Sequence, residues 1–262
     1  MEPNWWQALI LGIVQGLAEF LPISSTGHLV IGERLLGIKP PGTTFEVAVH
    51  LGTLLSVIIF FHKRLLKLTQ SLWNSELKAE RRMIFMLFLG TLPAVFAGLV
   101  LKPHFESLKQ NLPLVCGLLV VTAILLMFQR FGPKGEKEEV GPFSAVVMGC
   151  FQAFAILPGI SRSGSTIVGG LITKVKAAQA AEFSFLLSIP AILGAVVLDA
   201  EEFLAMDPSH IQAYVVGATA AFVSGLIAVY LVLEVIKRGK LEYFAYYCAT
   251  VGIAGVLYFS LA

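Results

Sequence analysis

The sequence predicts an all-α polytopic membrane protein with six transmembrane helices and two re-entrant helical hairpins. Of its 262 residues, 56% are hydrophobic and only 14% are charged, whereas a soluble domain carries about a quarter charged residues. The mean hydropathy is +0.81. This composition excludes a soluble globular protein and a disordered chain. A net charge of +2 gives no general basic field for binding nucleic acid.

Six apolar segments have about the length of a bilayer span, which needs roughly 20 residues. They are 45–61, 83–101, 112–129, 183–199, 211–235 and 241–261. Two further apolar stretches, 7–36 and 143–172, are broken in the middle by Gly, Pro, Ser and ionisable residues. Non-helical backbone survives at membrane depth only when it is buried in protein or faces a wet cavity. The two breaks are therefore expected to meet inside the helix bundle.

Lysine and arginine are distributed unevenly among the connections. Fourteen of the 19 lie in four segments, namely 62–82, 130–140, 174–176 and 237–240. The positive-inside rule places these segments in the cytoplasm. Both ends of 143–172 then lie inside, so this stretch is predicted to be a hairpin that enters from the cytoplasmic side. The stretch 7–36 is predicted to enter from the outer side.

The two broken stretches resemble each other. Three pairs of residues share the same separation of 137 positions: Gln15 and Gln152, Ser24 and Ser161, and Gly27 and Gly164. We interpret the chain as a single membrane domain, 1–262, built from two repeats of opposite orientation, about 1–130 and about 141–262.

The first break concentrates groups that are costly at membrane depth and are usually functional there. Gln15 and Glu19 share a helix face, because they are four residues apart. Three hydroxyls and an imidazole follow within ten residues, from Ser24, Ser25, Thr26 and His28. A Ser/Thr-rich packing turn would explain the hydroxyls but not Glu19 together with His28. His50 and Glu46, one turn apart, either line the same cavity or form a polar pair between helices.

The second break supplies a complementary cation. Gly159 and Gly164 bracket Arg162, whose planar guanidinium suits phosphate oxygens. Glycine-rich backbone before a helix start presents free N–H groups to an anion. A structural pair between Arg162 and Glu19 is the alternative, and the two are compatible. Together the breaks predict phosphoryl chemistry on a phosphorylated lipid, with a hydroxyl or an imidazole as nucleophile and the carboxylate as base.

These motifs resemble those of bacterial undecaprenyl-diphosphate phosphatases of the bacitracin-resistance (BacA/UppP) type. The resemblance is carried by the helix from Gln15 to Glu19, the run Leu-Pro-Ile-Ser-Ser-Thr-Gly-His ending at His28, and the run from Pro158 to Thr166. It covers essentially the whole chain. It implies hydrolysis of undecaprenyl diphosphate to undecaprenyl phosphate and inorganic phosphate. That reaction recycles the lipid carrier for cell-wall synthesis and gives bacitracin resistance.

The resemblance also implies roles for individual residues. Glu19 is the expected essential carboxylate, Ser25 the nucleophile, and His28 a general acid or competing nucleophile. Arg162 would grip the diphosphate. The expected substrate-binding residues around it are Gln15, Ser24, Thr26, Ser161, Ser163 and Thr166. The implied location is the bacterial cytoplasmic (inner) membrane, with the active site opening to the outer, periplasmic side according to the predicted topology.

The implied cofactor is Mg²⁺ or Ca²⁺, with no organic cofactor. Gln15 cannot act as a base, so Glu19 is the only strong ligand for a hard cation in its motif. We therefore expect a cation to bridge Glu19 and the diphosphate rather than to occupy a permanent protein site. The expected partners are the lipid substrate and the membrane, with no nucleic acid, and a homodimer is left open.

Two other functions compete with the phosphatase. Inverted repeats and hairpins that meet at mid-membrane are also features of transporters, so a polyprenyl-phosphate transporter or flippase is the alternative. A scaffold or receptor explains the Glu, His and Arg at membrane depth poorly.

Overall fold

The computed structural model describes residues 2–38, 43–129 and 135–261, without the side chains of 101–106 and 202. Arg130 and Lys134, which contribute to the predicted cytoplasmic charge, lie outside the described residues. Within these ranges the regular structure is helical, apart from one isolated bridge between Lys137 and Val175. The helices are α1 (Trp5–Phe20), α2 (Ser25–Leu35), α3 (Thr44–Phe60), α4 (His62–Gln70), α5 (Lys78–Lys109), α6 (Leu112–Phe128), α7 (Pro142–Phe154), α8 (Arg162–Ile172), α9 (Ala177–Leu198), α10 (Ala200–Leu204), α11 (Ile211–Lys237) and α12 (Glu242–Leu261).

Four helical segments are long and apolar enough to cross a membrane. They are Lys78–Val100, Ala177–Leu198, Pro208–Lys237 and Glu242–Leu261. The bent pair formed by α3 and α4 passes the same test, and α6 is a shorter apolar helix of 17 residues. Large apolar side chains such as Phe96 and Phe143 face outward, 70% and 72% exposed, as expected where lipid is the solvent. These features confirm an all-α polytopic membrane protein.

The segment predicted as a cytoplasmic connection, 62–82, is more ordered than the sequence suggests. The chain turns by 73° between α3 and α4. The last turn of α3 is apolar, whereas α4 carries Lys63, Arg64 and Lys67, which favour the polar interface over hydrocarbon. Arg64 Nε donates to Glu182 at 2.8 Å, so α4 is tied to the first turns of α9.

The two predicted hairpins are present as pairs of short helices. The first pairs α1 with α2, and the second pairs α7 with α8. Both return helices contain 11 residues. Such a helix is only about 16 Å long at 1.5 Å per residue, which is too short for the roughly 30 Å hydrocarbon core.

Each half of the chain packs the first helix of its hairpin against a long helix of the other half. Helix α1 packs against α11, and α7 packs against α5. A Cβ atom at Gly12 would collide with the carbonyl oxygen of Gly217, and one at Gly149 would collide with that of Gly90. Gly12 and Gly149 are themselves 137 positions apart. Each hairpin is thus held by close backbone contact with a long helix of the other half. The boundaries of the two repeats stay predictions.

The largest apolar cluster anchors both hairpins. Phe20, which directly follows Glu19 in the chain, packs edge-on against Phe185 of α9 with ring centroids 5.9 Å apart. Ile167 of α8 and Val229 of α11 belong to the same cluster, and all four side chains are fully buried. This packing fixes the end of α1 and the first turns of α8 against common neighbours.

Candidate active site

The two return helices begin at equivalent places and in the same manner. Ser24 is the N-cap of α2 and accepts a hydrogen bond from Gly27 N–H at 3.3 Å. Ser161 is the N-cap of α8 and accepts from Gly164 N–H at 3.1 Å. Serine is favoured at this position because its oxygen satisfies a helix-start N–H group. The first residue after the cap is Ser25 in α2 and Arg162 in α8.

The tips of the two hairpins approach each other closely. Gly159 has φ +103°, a conformation that favours glycine. A Cβ atom at Gly27 would lie 3.2 Å from Gly159 Cα. Because both return helices start at this contact, the partial positive charges of two helix N-termini converge there.

Glu19 is the centre of the site. It is 7% exposed, and such a buried carboxylate needs partners for its charge. Its Oε1 accepts from Arg162 Nη2. Its Oε2 accepts from Gln15 Nε2 at 3.0 Å and from Ser25 Oγ at 2.7 Å. The structure therefore brings Glu19, Ser25 and Arg162 together from two hairpins that lie more than 130 positions apart in the sequence.

Arg162 is only half engaged by protein. Its Nη2 donates to Glu19, whereas Nη1 is buried and has no hydrogen-bond partner among the described residues. A guanidinium presents its donors as a planar fork. The Nη1 side of the fork thus has the chemistry to bind a second anion.

The other hydroxyls of the second hairpin hold the turn. Ser163 Oγ donates to Leu21 O at 3.2 Å, which links the two hairpins. Thr166 Oγ1 donates to Arg162 O at 2.9 Å. Thr122 of α6 also supports the loop, because its Oγ1 accepts from Ser161 N–H at 3.0 Å. Direct substrate contacts by Ser161, Ser163 and Thr166 stay predictions, as does one by the capping Ser24.

His28 lies on the α12 side of the first hairpin. Its Nδ1–H donates to Ser24 O at 2.8 Å, and its Nε2 lies 3.0 Å from the Tyr247 hydroxyl. The two rings stack with centroids 5.5 Å apart. Both ring nitrogens thus have protein partners, and an acid or nucleophile role for His28 stays a prediction that this placement does not favour.

His50 is the side chain whose position the sequence left undecided. Its Nδ1–H donates to Glu46 O at 2.7 Å, so the ring is held with Nε2 toward Glu19 Oε2, 3.8 Å away. The spacing of His50 and Glu46 gave a signal, but whether that face met the hairpins or another helix required the fold.

A cavity of about 600 Å³ lies beside Glu19 and Ser25, and their neighbours Thr26, His50 and Arg162 belong to its lining. Its polar end contains Thr26, His50, Gln152 and Arg162, and the ion pair of Glu46 with Lys109 at 2.9 Å lies one turn of α3 from His50. Its apolar walls come from α5 and α9 and are lined by Ala94, Val95, Leu99, Leu193, Val196 and Val197. We call this space the central cavity. Its shape suits an amphiphile with an anionic head and an apolar tail.

The surroundings of Glu19 do not fit a resident divalent cation. Both carboxylate oxygens accept hydrogen bonds, and a guanidinium lies against one of them. Within the described ranges, no three His, Cys, Asp or Glu side chains are grouped so that they could hold a metal. The donor set is that of an anion site.

Comparison with known proteins shows similarity over nearly the whole chain. Residues 8–254 match the family described as bacitracin resistance protein BacA. The chain is 43% identical over 257 residues to an undecaprenyl-diphosphatase of Rhodopirellula baltica, which covers 96% of each chain. It is 39% identical over 261 residues to an undecaprenyl-diphosphatase of Bacteroides fragilis, covering 97% of this chain and 98% of the relative. The chain belongs to the BacA bacitracin-resistance family.

Proposed function

We propose that this protein is an integral-membrane phosphatase that hydrolyses undecaprenyl diphosphate to undecaprenyl phosphate and inorganic phosphate. The observation that carries the proposal is the hydrogen bond from Ser25 Oγ to a buried carboxylate that also pairs with Arg162. A hydroxyl and a base that adjoin a cation at the polar end of an amphiphilic cavity are the parts that phosphoryl transfer from a lipid requires. The relatives named undecaprenyl-diphosphatase support the same substrate.

In the first step, Ser25 Oγ attacks the terminal phosphorus and its proton passes to Glu19 Oε2. The bond from that phosphorus to the bridging oxygen breaks, and undecaprenyl phosphate leaves with the electron pair. Arg162 stabilises the charge on the transferring group, which is the main task of a phosphoryl-transfer site.

In the second step, water attacks the phosphorus of the phosphoserine and the bond to Ser25 Oγ breaks. The proton held by Glu19 returns to Ser25 Oγ. The proton lost by the attacking water passes to His50 Nε2 and then to solvent, while the hydroxyl stays on the released phosphate. His50 suits this role because its Nδ1–H is already committed to Glu46 O, which leaves Nε2 as an acceptor.

The polyprenyl tail occupies the apolar part of the central cavity. The walls from α5 and α9 continue from the polar end toward membrane-exposed side chains such as Leu99 and Val197. Burial of apolar surface there contributes binding free energy without touching the reacting atoms.

Orientation follows from charge. The central cavity lies toward the end of the bundle where α3 begins and α9 ends, which is opposite the basic segments around Arg64, Lys137 and Lys176. With these segments in the cytoplasm of a bacterial inner membrane, the cavity opens to the periplasmic side. Labelling with an impermeant thiol reagent tests this in cells that carry Ser209→Cys or Ser75→Cys in a cysteine-free background. The first should react and the second should not, and the reverse pattern would overturn the orientation.

Mg²⁺ or Ca²⁺, where either supports activity, would be held by the diphosphate rather than by Glu19, whose two carboxylate oxygens already accept hydrogen bonds. Either ion would neutralise the phosphates and need no protein site of its own. Recycling of the carrier supports cell-wall synthesis and raises tolerance of bacitracin. A homodimer stays a prediction.

Purified protein in detergent should release phosphate from undecaprenyl diphosphate, and Glu19→Gln at equal expression should abolish that release. The hypothesis of a transporter or flippase predicts the opposite result: the lipid moves across liposome bilayers and no phosphate is released. Absence of phosphate release by the unsubstituted protein would refute the phosphatase.

A further inference from the structure

Gln152 is a buried side chain without partners. It lies near the end of α7 and is 3% exposed. Nevertheless neither its Nε2 nor its Oε1 has a hydrogen-bond partner among the described residues. Leaving a buried amide unpaired destabilises a fold, so such a group calls for an explanation.

Arg162, which lines the central cavity together with Gln152, also has a buried donor without a hydrogen-bond partner among the described residues. That donor is Nη1, and both residues line the polar end of the cavity. Both residues therefore border the space that a ligand head group would occupy. Two donors, Gln152 Nε2 and Arg162 Nη1, are offered there together with one acceptor, Gln152 Oε1.

The equivalent glutamine of the first repeat is used differently. Gln15 lies 137 positions earlier, is fully buried, and donates its Nε2 to Glu19 Oε2 at 3.0 Å. Gln152 has no carboxylate to hold, because position 156, equivalent to Glu19, is occupied by Ile156. The second glutamine is thus free for another task.

We propose that Gln152 binds the terminal phosphoryl group of the substrate together with Arg162 Nη1. Its Nε2 donates to one phosphoryl oxygen, and its Oε1 accepts from a protonated phosphoryl oxygen. The inference rests on the proposed phosphatase function and extends the binding site to the second hairpin's first helix. Since inorganic phosphate offers the same oxygens, Gln152 binds the released product as well.

Steady-state kinetics on the full-length protein in detergent test this, with undecaprenyl diphosphate as substrate and inorganic phosphate as competing ligand. Gln152→Leu should raise both KM and the inhibition constant for phosphate by about tenfold or more, as expected when a hydrogen bond to a charged group is lost. Gln152→Glu should weaken both further, because a carboxylate repels the phosphoryl oxygens.

Gln179→Ala is the matched control. Gln179 Oε1 is likewise buried and unpaired, but this residue lines a different cavity, beside Arg64 and Glu182. Its substitution should leave KM and phosphate inhibition unchanged.

Thermal unfolding without ligand separates binding from a structural role. Gln152→Leu should keep or raise the unfolding temperature, because it removes a buried amide that has no hydrogen-bond partner among the described residues of the unliganded protein. If the wild-type protein hydrolyses the lipid but Gln152→Leu has an unchanged KM and unchanged phosphate inhibition, the Gln152 proposal alone is overturned. A large fall in unfolding temperature together with unchanged KM assigns Gln152 to the fold and also overturns it. A wild-type protein that releases no phosphate overturns the proposed function itself.

Discussion

The first and second hairpins share a backbone design but carry different chemistry. Ser25 and Arg162 occupy the same position in their repeats, one residue after a capping serine and 137 positions apart. The first hairpin contributes a carboxylate and a hydroxyl, and the second contributes a guanidinium. In the proposed mechanism one helix start supplies the reacting groups and the other supplies the charge-stabilising group, so neither hairpin alone holds the complete site.

The two turns also differ in how they reverse the chain. In the second hairpin a glycine, Gly159, takes the positive φ. In the first, Ser24 takes it, with φ 72°, a conformation that costs a non-glycine residue about 1 kcal/mol or more. The strained residue directly precedes Ser25. Its backbone conformation helps to point Ser25 Oγ at Glu19.

The largest expected loss of activity comes from a substitution in the first hairpin. Ser25→Ala should lower kcat for phosphate release by at least about 10³-fold, because it removes the nucleophile. His28→Ala should lower it less than tenfold, because His28 faces Tyr247 rather than Glu19. Both variants are measured at equal amounts of folded protein. A severe loss in His28→Ala with activity retained in Ser25→Ala would exchange their roles.

Activity should be nearly as sensitive to substitution in the second hairpin, where the loss comes from removing the positive charge of Arg162. Arg162→Ala should lower kcat/KM by about 10²–10³-fold. It should also lower the free energy of unfolding by about 3 kcal/mol, since the buried Glu19 carboxylate loses the guanidinium that balances its charge. The double variant Glu19→Gln/Arg162→Ala should recover part of that stability without recovering activity. Additive losses of stability would show that the pair across the hairpins is not coupled.

A smaller effect is expected at α3, which packs against α1 of the first hairpin. His50→Gln should lower kcat by about tenfold, because the proton acceptor for the attacking water is lost. Its KM should change little, and an intact rate would remove His50 from the reaction.

The smallest effects on phosphate release should come from the glycines at which α1 packs against α11 and α7 packs against α5, where the expected loss is in stability. Gly12→Ala and Gly149→Ala should each destabilise the protein by about 1–3 kcal/mol, because the new methyl group overlaps a carbonyl oxygen of the other half. Gly117→Ala is the control, since nothing lies within 4 Å of its Cβ position. Helix propensity alone should make that variant neutral or more stable. Equal losses in all three would contradict the close approach of the helices.

Sequence patterning predicted much of this arrangement. Both breaks were visible because Pro22 and the Pro158-Gly159 pair interrupt apolar runs, and because charge at membrane depth demands a partner. That logic anticipated the meeting of Glu19, Ser25 and Arg162. It gave no means of choosing the direction of His28, because that depends on how the first hairpin rotates against α12.

The remaining features depend on three-dimensional packing. The 73° bend after α3 arises where an apolar helix meets basic residues, and the sequence shows the change of composition but not the angle. His50 reaches Glu19 only because α3 packs beside α1. Gln152 stood out in the sequence solely as a repeat landmark, since an unpaired amide is recognisable only when its neighbours are known.

A structure of the protein with bound orthovanadate tests the junction of the two hairpins most directly, because vanadate adopts the geometry of a phosphoryl group in transfer. We predict vanadium bonded to Ser25 Oγ, with its other oxygens contacting Arg162. Vanadium bonded to His28, or held beside Lys109 without contact to Ser25, would contradict the division of labour between the hairpins.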